Sequence, residues 1–475
     1  MTSGWDLGGL LRPIEDEHHN LWPLSHSIGA GGQGEVWLAR GGRTAIKMIT
    51  APTQEAAEAV HARLRRIQRL PLEGIPLAGV LALLRPPKLG YVMELADEMV
   101  ALGALCDPDE EDVGAWYVRT GGLDRRLRLL ARLADAIARL HARAIVYQDL
   151  SPSNVLISAA VDQEEIRLID VDNLGLSSAV GATPIHTPGY GAPEIVSGNS
   201  GGTTLADAHA LGVLIFEALT ASHPFRGDRV QDADPSYQQD FADRFRLPWI
   251  DHPTDRTNEC TTGIAPRQEL LSGQLWDLST QCFVDAVADP RTRPPAARWA
   301  AALHSAAGQT VQCPACGWTY RAAAASCLLC RRPRDRVWVL RHGLTCTVGI
   351  EPAESDEIGD GIPGSRLSEV PLPEFTVLRP TSHTVLTARH ASPAPEWPDA
   401  LVAQVWFDGR DATLLNLSRG SLWLDQQDGR PWREIRQGSQ ATAPVGEVGR
   451  AWTLHFGPDH VIHRWVRLMT LGATR

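Results

Sequence analysis

Lysine is almost missing from this chain. Of its 45 lysines and arginines, only Lys47 and Lys88 are lysine. A coding bias that writes arginine wherever either base serves accounts for the deficit. A lysine that survives such a bias marks a place where an ammonium is needed and a planar guanidinium does not fit. Long apolar runs are missing too: no stretch reaches the ~18 uninterrupted apolar residues of a membrane-spanning helix. The first twenty residues carry Asp6, Glu15, Asp16 and Glu17 and no basic start before an apolar segment, so no secretory leader is expected. A cytoplasmic protein is the expectation. Positive charge is in deficit overall, with a net charge of −11, which disfavours generic binding to nucleic acid or anionic membrane. Disordered and collagen-like classes are excluded by an ordinary globular balance of 43% hydrophobic and 21% charged residues. No internal repeat of fixed period is visible. At about 150 residues per domain, the 475 residues predict several units.

Cysteine is sparse but unevenly placed. Cys106, Cys260, Cys282 and Cys346 are scattered, whereas Cys313, Cys316, Cys327 and Cys330 form C-x2-C…C-x2-C with ten residues between the pairs. Each C-x2-C turn presents two thiolates at one point, and four thiolates close a tetrahedral site. Closure leaves no open position, so a zinc ion here would be structural. A redox C-x-x-C pair is the competing reading. Cys346 reads as an ordinary buried thiol.

Local patterning divides the chain. Glu35–Ala39, Thr44–Met48 and Tyr91–Leu95 are short strand-like runs, and residues 52–70 read as a helix. From Leu123 to Leu140 apolar residues recur every three or four positions, which predicts an amphipathic helix. Residues 205–219 are apolar nearly all round and predict a buried helix. Helical character returns over 265–308, broken by Asp289–Pro295. Beyond the cysteines, strand-like runs at Val337–Leu340, Leu401–Phe407, Ser421–Leu424 and Trp452–Phe456 predict a separate all-β module, with 350–373 as a linker or long loop.

Four motifs carry chemistry. Gly29, Gly31 and Gly34 stand in a G-x-G-x-x-G frame followed by Glu35 and Val36. Glycines let backbone N–H groups approach phosphate oxygens. The following residues read as a strand, which disfavours a dinucleotide-binding fold. Lys47 lies on the next strand, in Ala45-Ile46-Lys47, where an ammonium would neutralise phosphate. Tyr147-Gln-Asp149-Leu-Ser-Pro-Ser-Asn154 places an aspartate and an asparagine in a loop before the strand Val155–Ile157. Asp170, in Asp170-Val171-Asp172, ends an apolar strand and suits a magnesium ion.

In this order and spacing the four motifs resemble the protein kinase superfamily. Ala192-Pro193-Glu194 resembles the end of an activation segment. Asp207 resembles the aspartate that braces the catalytic loop from below, and Arg293 the arginine that pairs with Glu194. Glu94 to Ala96, after Met93, resembles the hinge that holds adenine. The resemblance covers about residues 20–305. It implies an α+β, two-lobed kinase-like fold, with an N-terminal extension over 1–19, an N-lobe over about 20–96 and a C-lobe over about 97–305. A zinc ribbon over 309–335 and the β-rich segment 336–475 would follow. It also implies Mg-ATP (or Mn-ATP) as cofactor, bound through Gly29, Gly31, Gly34, Val36, Lys47, Glu58, Glu94 and Ala96. Asn154 and Asp170 would hold the metal, Lys47 would orient the α/β-phosphates, and Asp149 would accept the proton of a protein Ser/Thr hydroxyl.

The departures are as informative. Gln148 replaces the usual arginine before Asp149, and Tyr147 the usual histidine, so control by activation-loop phosphorylation loses its docking charge. Ser151 stands where many kinases place a lysine. The third residue of the metal-binding motif is Asp172 and not glycine. Glu58 and Glu55 are both candidates for the partner of Lys47. The non-catalytic alternative is a nucleotide-binding pseudokinase that scaffolds a phosphorylation-linked complex; transfer of a group other than phosphate to protein is a third. Kinases with this motif variant and a following zinc ribbon resemble a bacterial group encoded beside a metal-dependent phosphatase and a von Willebrand A domain protein, which would be partners. In the last segment, Leu415–Ser418, 421–424 and Gly446–Gly457 faintly resemble the late strands of a forkhead-associated sandwich, which would bind phosphothreonine peptides. A plain β-sandwich for protein contact is the other reading there.

Overall fold

The computed structural model describes residues 5–6, 10–11, 13–31, 34–108, 112–176, 185–234, 245, 247–348, 366–379, 383–392, 399–408, 410–445 and 451–472. It divides into two units, Met1–Ala307 and Gly308–Arg475.

The first unit begins with a five-stranded antiparallel sheet. Its strands are β1 (Leu24–Gly31), β2 (Gly34–Ala39), β3 (Thr44–Ile49), β4 (Ala82–Leu83) and β5 (Gly90–Glu94), in the order β1-β2-β3-β5-β4. One face buries Ile14, Leu24, Ala39, Ile46, Ala82, Leu84 and Val92. Helix α1 (Gln54–Ile67) lies between β3 and β4. Thr53 caps it by accepting the Ala56 amide, and Arg65 and Arg66 sit in its last turn, where the helix dipole favours cations. Its buried residues are Leu64 and Ile67.

Residues 14–19, read from sequence as part of an extension, are built into this lobe. Ile14–Glu15 pairs with Leu21–Trp22. Buried Asp16 accepts the amides of His18 and Asn20, the Asn20 side chain and the Trp22 indole. Burial works against ionisation of Asp16, but these donors outweigh it and hold the carboxyl below its ordinary range. Glu17 exchanges bonds with the Leu83 backbone, which fastens the segment to β4.

Helices dominate the rest of the unit. Here α2 spans Val113–Arg119, α3 Gly122–His141 and α4 Thr204–Thr220. The apolar stripe read from Leu123 onward is the buried side of α3, and α4 is buried on nearly every side, as its composition predicts. The small strands Met99–Ala101 (β6), Val155–Ser158 (β7) and Ile166–Leu168 (β8) form a sheet in that order. It lifts the two loops that carry Asp149 and Asp170 to one edge. The break expected at Asp289–Pro295 is a 3-10 turn, Pro290–Thr292, before helix α5 (Ala296–Gly308).

In the second unit the four cysteines and the β-rich segment pack together. Strands Thr310–Gln312 and Thr319–Arg321 pair beside the cysteines. Arg334 donates to the Gly472 carbonyl at 2.8 Å, and Arg379 to the Thr310 hydroxyl at 3.2 Å. The remainder is two sheets. One has six strands: β9 (Val337–Val348), β10 (Arg366–Leu378), β14 (Leu422–Asp425), β15 (Arg433–Ile435), β17 (Thr453–His455) and β18 (His463–Leu471), in the order β10-β9-β18-β17-β14-β15. The other has four: β11 (Thr384–Thr387), β12 (Leu401–Phe407), β13 (Asp411–Asn416) and β16 (Gln440–Pro444), in the order β11-β12-β13-β16. One apolar core, including Leu340, Leu386, Val405, Leu414, Leu424, Trp452 and Val466, draws on both. The linker expected over 350–373 is corrected at its end, because residues from Arg366 onward are strand; residues 350–365 lie outside the described residues, as do 446–450 of the late-strand segment.

Candidate active site

Three strands place Lys47. Val36, Lys47 and Tyr91 are register partners on β2, β3 and β5, so their side chains share one face of the sheet. The Lys47 side chain is 4% exposed, and its ammonium lies 2.8 Å from Asp172 Oδ1 and 3.1 Å from Asp170 Oδ1. Burial, reinforced by the charges of Asp172 and Asp170, pushes the neighbouring Tyr91 phenol well above its ordinary range, so it keeps its proton. Glu58 is not brought to Lys47. It is exposed and accepts from Gln54 on its own helix at 3.0 Å; Glu55 is exposed as well.

The glycines frame the mouth of this sheet. Gly29 pairs with Val36 and Gly31 with Gly34, and a methyl group on Gly29 or Gly31 would meet nothing within 4 Å. Gly34 is different: its φ is +149°, and a Cβ would fall 2.0 Å from the Met48 carbonyl oxygen. That glycine lets the start of β2 lie close against the end of β3, whereas the other two leave open space for a ligand. Residues 32–33 of the loop lie outside the described residues. At the other end of the sheet Glu94 pairs with Thr44 and turns its side chain to Arg167 at 2.8 Å. Ala96 follows, half-buried.

Asp207, near the start of α4 and 2% exposed, organises the catalytic loop from below. Its carboxylate accepts the backbone amides of Tyr147 at 2.6 Å and Gln148 at 2.9 Å, with His141 Nε2 at 3.1 Å. Those bonds secure Gln148 at φ 76, a conformation costly for a residue with a side chain. The Gln148 amide reaches the Asn173 carbonyl at 2.6 Å. The hydroxyl of buried Tyr147 donates to the Ile169 carbonyl. Burial, with the charges of Asp170, Asp149 and Asp207, pushes this phenol well up and keeps it a donor. Both replacements for the usual histidine and arginine thus tie the catalytic loop to the Asp170 segment through neutral hydrogen bonds.

Above this brace, Asn154 donates to the Asp149 carbonyl at 2.8 Å and to its carboxylate at 3.1 Å. The second Asp149 oxygen accepts the Thr187 hydroxyl at 2.8 Å. The Ile169 amide donates to the Asn154 carbonyl, so the strand pairing of Val155 with Leu168 carries Asn154 and Asp170 to adjacent positions. Asp170 takes φ 54, the left-handed region, and its side chain is 34% exposed. Ser151 is fully buried, bonded to Ser153 at 3.1 Å, and offers no cation to a substrate. A pocket next to Thr187 is lined by Leu150, Ile185, Ala192 and Ile195 among others. Behind it, Arg293 grips Glu194 bidentately at 2.7 and 3.2 Å with its own side chain wholly buried.

The cysteines form a second site. Cys313 and Cys330 sulfurs lie 3.5 Å apart, as do those of Cys316 and Cys327, and all four lie within 4.8 Å of one another. The two C-x2-C turns are built alike. The Cys313 amide donates to Trp318 and the Gly317 amide to Cys313; the Cys327 amide donates to Arg332 and the Arg331 amide to Cys327. The residue after each second cysteine is left-handed, Gly317 at φ 74 and Arg331 at φ 62. Burial opposes ionisation of Cys313, but the Cys316 and Ala315 amides outweigh it and pull the thiol down to about 7. The sulfur set fits a soft, tetrahedral cation such as zinc.

The family model for the protein kinase domain matches residues 22–302. The chain belongs to the protein kinase family. Among curated relatives it is similar to the serine/threonine-protein kinase PkaA of Streptomyces coelicolor, 29% identical over 46% of this chain and 41% of the relative. Serine/threonine-protein kinase PknA of Mycobacterium tuberculosis is 28% identical over 43% of this chain and 48% of its own length. Serine/threonine-protein kinase pkn2 of Myxococcus xanthus is 30% identical over 42% and 24%. The chain thus spans less than half the length of these relatives. No helix among the described residues is long and apolar enough to cross a membrane.

Two residues of the site escaped the sequence reading. Asp172 was visible only as a missing glycine, and nothing local pointed across 125 positions to Lys47. Thr187 opens the segment leading to Ala192-Pro193-Glu194, but its contact with Asp149 joins residues 38 positions apart, which no local pattern shows. In the second unit, buried Asn416 spends its side chain on the Gly420 and Ile435 carbonyls and the Ser418 amide, so it shapes the loop after β13.

Proposed function

We propose that the protein is a bacterial-type serine/threonine protein kinase that transfers the γ-phosphoryl group of Mg-ATP to protein hydroxyls. The observation that carries this reading is the convergence of Lys47, Asp149, Asn154 and Asp170 at one edge, with Asp149 oriented by both Asn154 and Thr187. Phosphoryl transfer needs positioning and charge neutralisation more than covalent help from the protein. Asn154 and Asp170 would hold the metal ion, which supplies neutralisation of phosphate charge when bound. Lys47 would orient the nucleotide phosphates, and the backbone at Gly29 and Gly31 lies open to them. Asp149 would take the proton of the substrate hydroxyl. For Cys313, Cys316, Cys327 and Cys330 we propose a structural zinc ion.

Transfer from γ-labelled ATP to protein substrates, with Mg²⁺ or Mn²⁺, tests the reading. Label that disappears in Asp149→Ala and in Lys47→Ala supports it; nucleotide binding without transfer across substrates overturns it in favour of the pseudokinase scaffold. Buried Ser151 is the observation that favours that second reading, because it leaves the γ-phosphate without the usual lysine. The phosphatase and the von Willebrand A domain protein implied by the resemblance are proposed partners, tested by co-purification. The two-sheet module is proposed as a protein-contact surface. Phosphothreonine-peptide binding, the alternative for that module, is tested with matched phosphorylated and unphosphorylated peptides.

A further inference from the structure

We infer that Asp172, and not a glutamate of helix α1, is the residue that positions Lys47. This rests on the kinase reading of the site and deepens it. In the general kinase arrangement the strand lysine is held by a helix glutamate. Here the ion pairs of Lys47 among the described residues are to Asp170 and Asp172. The two carboxylates are not equivalent. Asp170 is 34% exposed and is the candidate metal ligand, so a bound cation competes with Lys47 for its charge. Asp172 is 1% exposed at the side chain and lies at the shorter distance, 2.8 Å. A carboxylate this deeply buried is costly without a partner, and so is a buried ammonium. Each therefore holds the other.

The segment that carries Asp172 is itself fixed. Val171–Asn173 is one turn of 3-10 helix, Val171 is fully buried, and the Gln148 amide holds the Asn173 carbonyl. Tyr91 stands beside Lys47 on β5. Helix α1 contributes no acid to the cluster: Glu55 and Glu58 are exposed, and its buried side chains are Leu64 and Ile67. The third residue of the motif is thus a positioning residue that couples Lys47 to the metal-binding segment. A displaced α1 would withdraw no carboxylate from Lys47, although the helix packs against the turn that carries Asp172.

The chain's two lysines make the test direct. Acylation of the full-length protein with a small amine-reactive ester, quantified by peptide mass spectrometry, compares Lys47 with Lys88 as an internal reference. Asp172→Asn is expected to raise the Lys47-to-Lys88 ratio ~10-fold, because the ammonium has lost its buried anion. Asp172→Glu restores protection, and Glu58→Gln matches wild type. In phosphoryl-transfer assays Asp172→Asn lowers kcat ~10-fold or more with little change in KM for ATP, since placement and not uniform binding is lost. A second arm does not depend on the single variant folding: Lys47→Met/Asp172→Asn melts higher than Lys47→Met, which strands the carboxylate. An unchanged ratio in Asp172→Asn, a raised ratio in Glu58→Gln, or no recovery in the double variant overturns the inference. Acylation and melting need no activity, so they decide the clamp even where phosphoryl transfer is absent.

Discussion

Thr187 donates its hydroxyl to Asp149 at 2.8 Å, while Asn154 donates to the other oxygen of the same carboxylate. Two donors from two loops fix the plane of the carboxyl group. Rotation about the side chain would otherwise spend part of the time aiming both oxygens away from a substrate hydroxyl. Thr187→Val keeps the shape and removes one donor, so it lowers kcat about tenfold, the worth of one hydrogen bond to a charged group. KM for ATP stays near wild type, because Thr187 touches no nucleotide-facing residue. Thr187→Ser retains the bond and most of the rate. A Val variant as fast as wild type removes Thr187 from the mechanism.

The Arg293–Glu194 pair has a structural role. Arg293 is wholly buried on its side chain, grips Glu194 bidentately and also donates to the Leu205 and Ala286 carbonyls. It ties the end of the activation segment to the start of α4 and to the turn before α5. Removing one partner of a buried pair leaves an uncompensated charge, at about 3–5 kcal/mol. Arg293→Ala therefore lowers the thermal transition of the first unit by ~10 °C. Arg293→Met/Glu194→Gln, which leaves no charge behind, recovers part of that loss. Calorimetry of the three proteins checks the order.

Much of the site was legible because its residues sit at short, fixed spacings. Asp149 and Asn154 are five apart in one loop, and the spacing survives any packing. The partner of Lys47 was not legible, since helix α1 offered two candidate glutamates, both closer in sequence to Lys47 than is usual, and only the packed structure shows both exposed. The all-β module was legible, but the start of strand β10 was read as linker for a different reason. Strands β9 and β10 pair over nearly their whole length, yet Gly343 lies opposite Pro371, and both residues signal loops in sequence. Gly343 is there because any Cβ would strike the Trp465 ring at 2.0 Å. Pro371 is tolerated because β10 is the edge of its sheet, where a missing N–H removes no ladder bond. Residues 14–19 were set apart because polarity hid a local network, in which one aspartate serves four donors.

That network gives a pH prediction. The Asp16 carboxyl is held below its ordinary range in the fold, so the unfolded chain binds its proton more tightly. The stabilisation is therefore complete above the ordinary carboxylate pKa of ~4 and is lost as pH falls through the lowered folded value. Asp16→Asn costs about 1–3 kcal/mol at neutral pH, the range for bonds to a buried charged acceptor. Wild type and variant converge as the pH is lowered below that range. Denaturation midpoints of both proteins between neutral pH and acid check this; a constant gap across the series excludes a role for ionised Asp16.

The two cysteine turns supply a paired prediction, because they share one backbone pattern but not one residue. Gly317 occupies its left-handed position at no steric cost, whereas Arg331 holds φ 62 with a side chain attached. The left-handed conformation costs a non-glycine residue about 1 kcal/mol. Arg331→Gly therefore stabilises the second turn by up to that amount, and Gly317→Ala destabilises the first by a similar amount. The metal site is the readout that separates this from a general effect on the unit. Four sulfurs within 4.8 Å of one another are expected to take up one zinc ion per chain, and cobalt in its place to give the visible absorption of a tetrahedral tetrathiolate site. Competition with a chelator shows Gly317→Ala releasing the metal sooner than wild type and Arg331→Gly later. Cys316→Ser, which opens the tetrad, loses the tetrathiolate spectrum and lowers the melting of the second unit. Equal metal retention in both turn variants shows that the turns do not limit the site; a cysteine variant that keeps the full cobalt spectrum removes Cys316 from it.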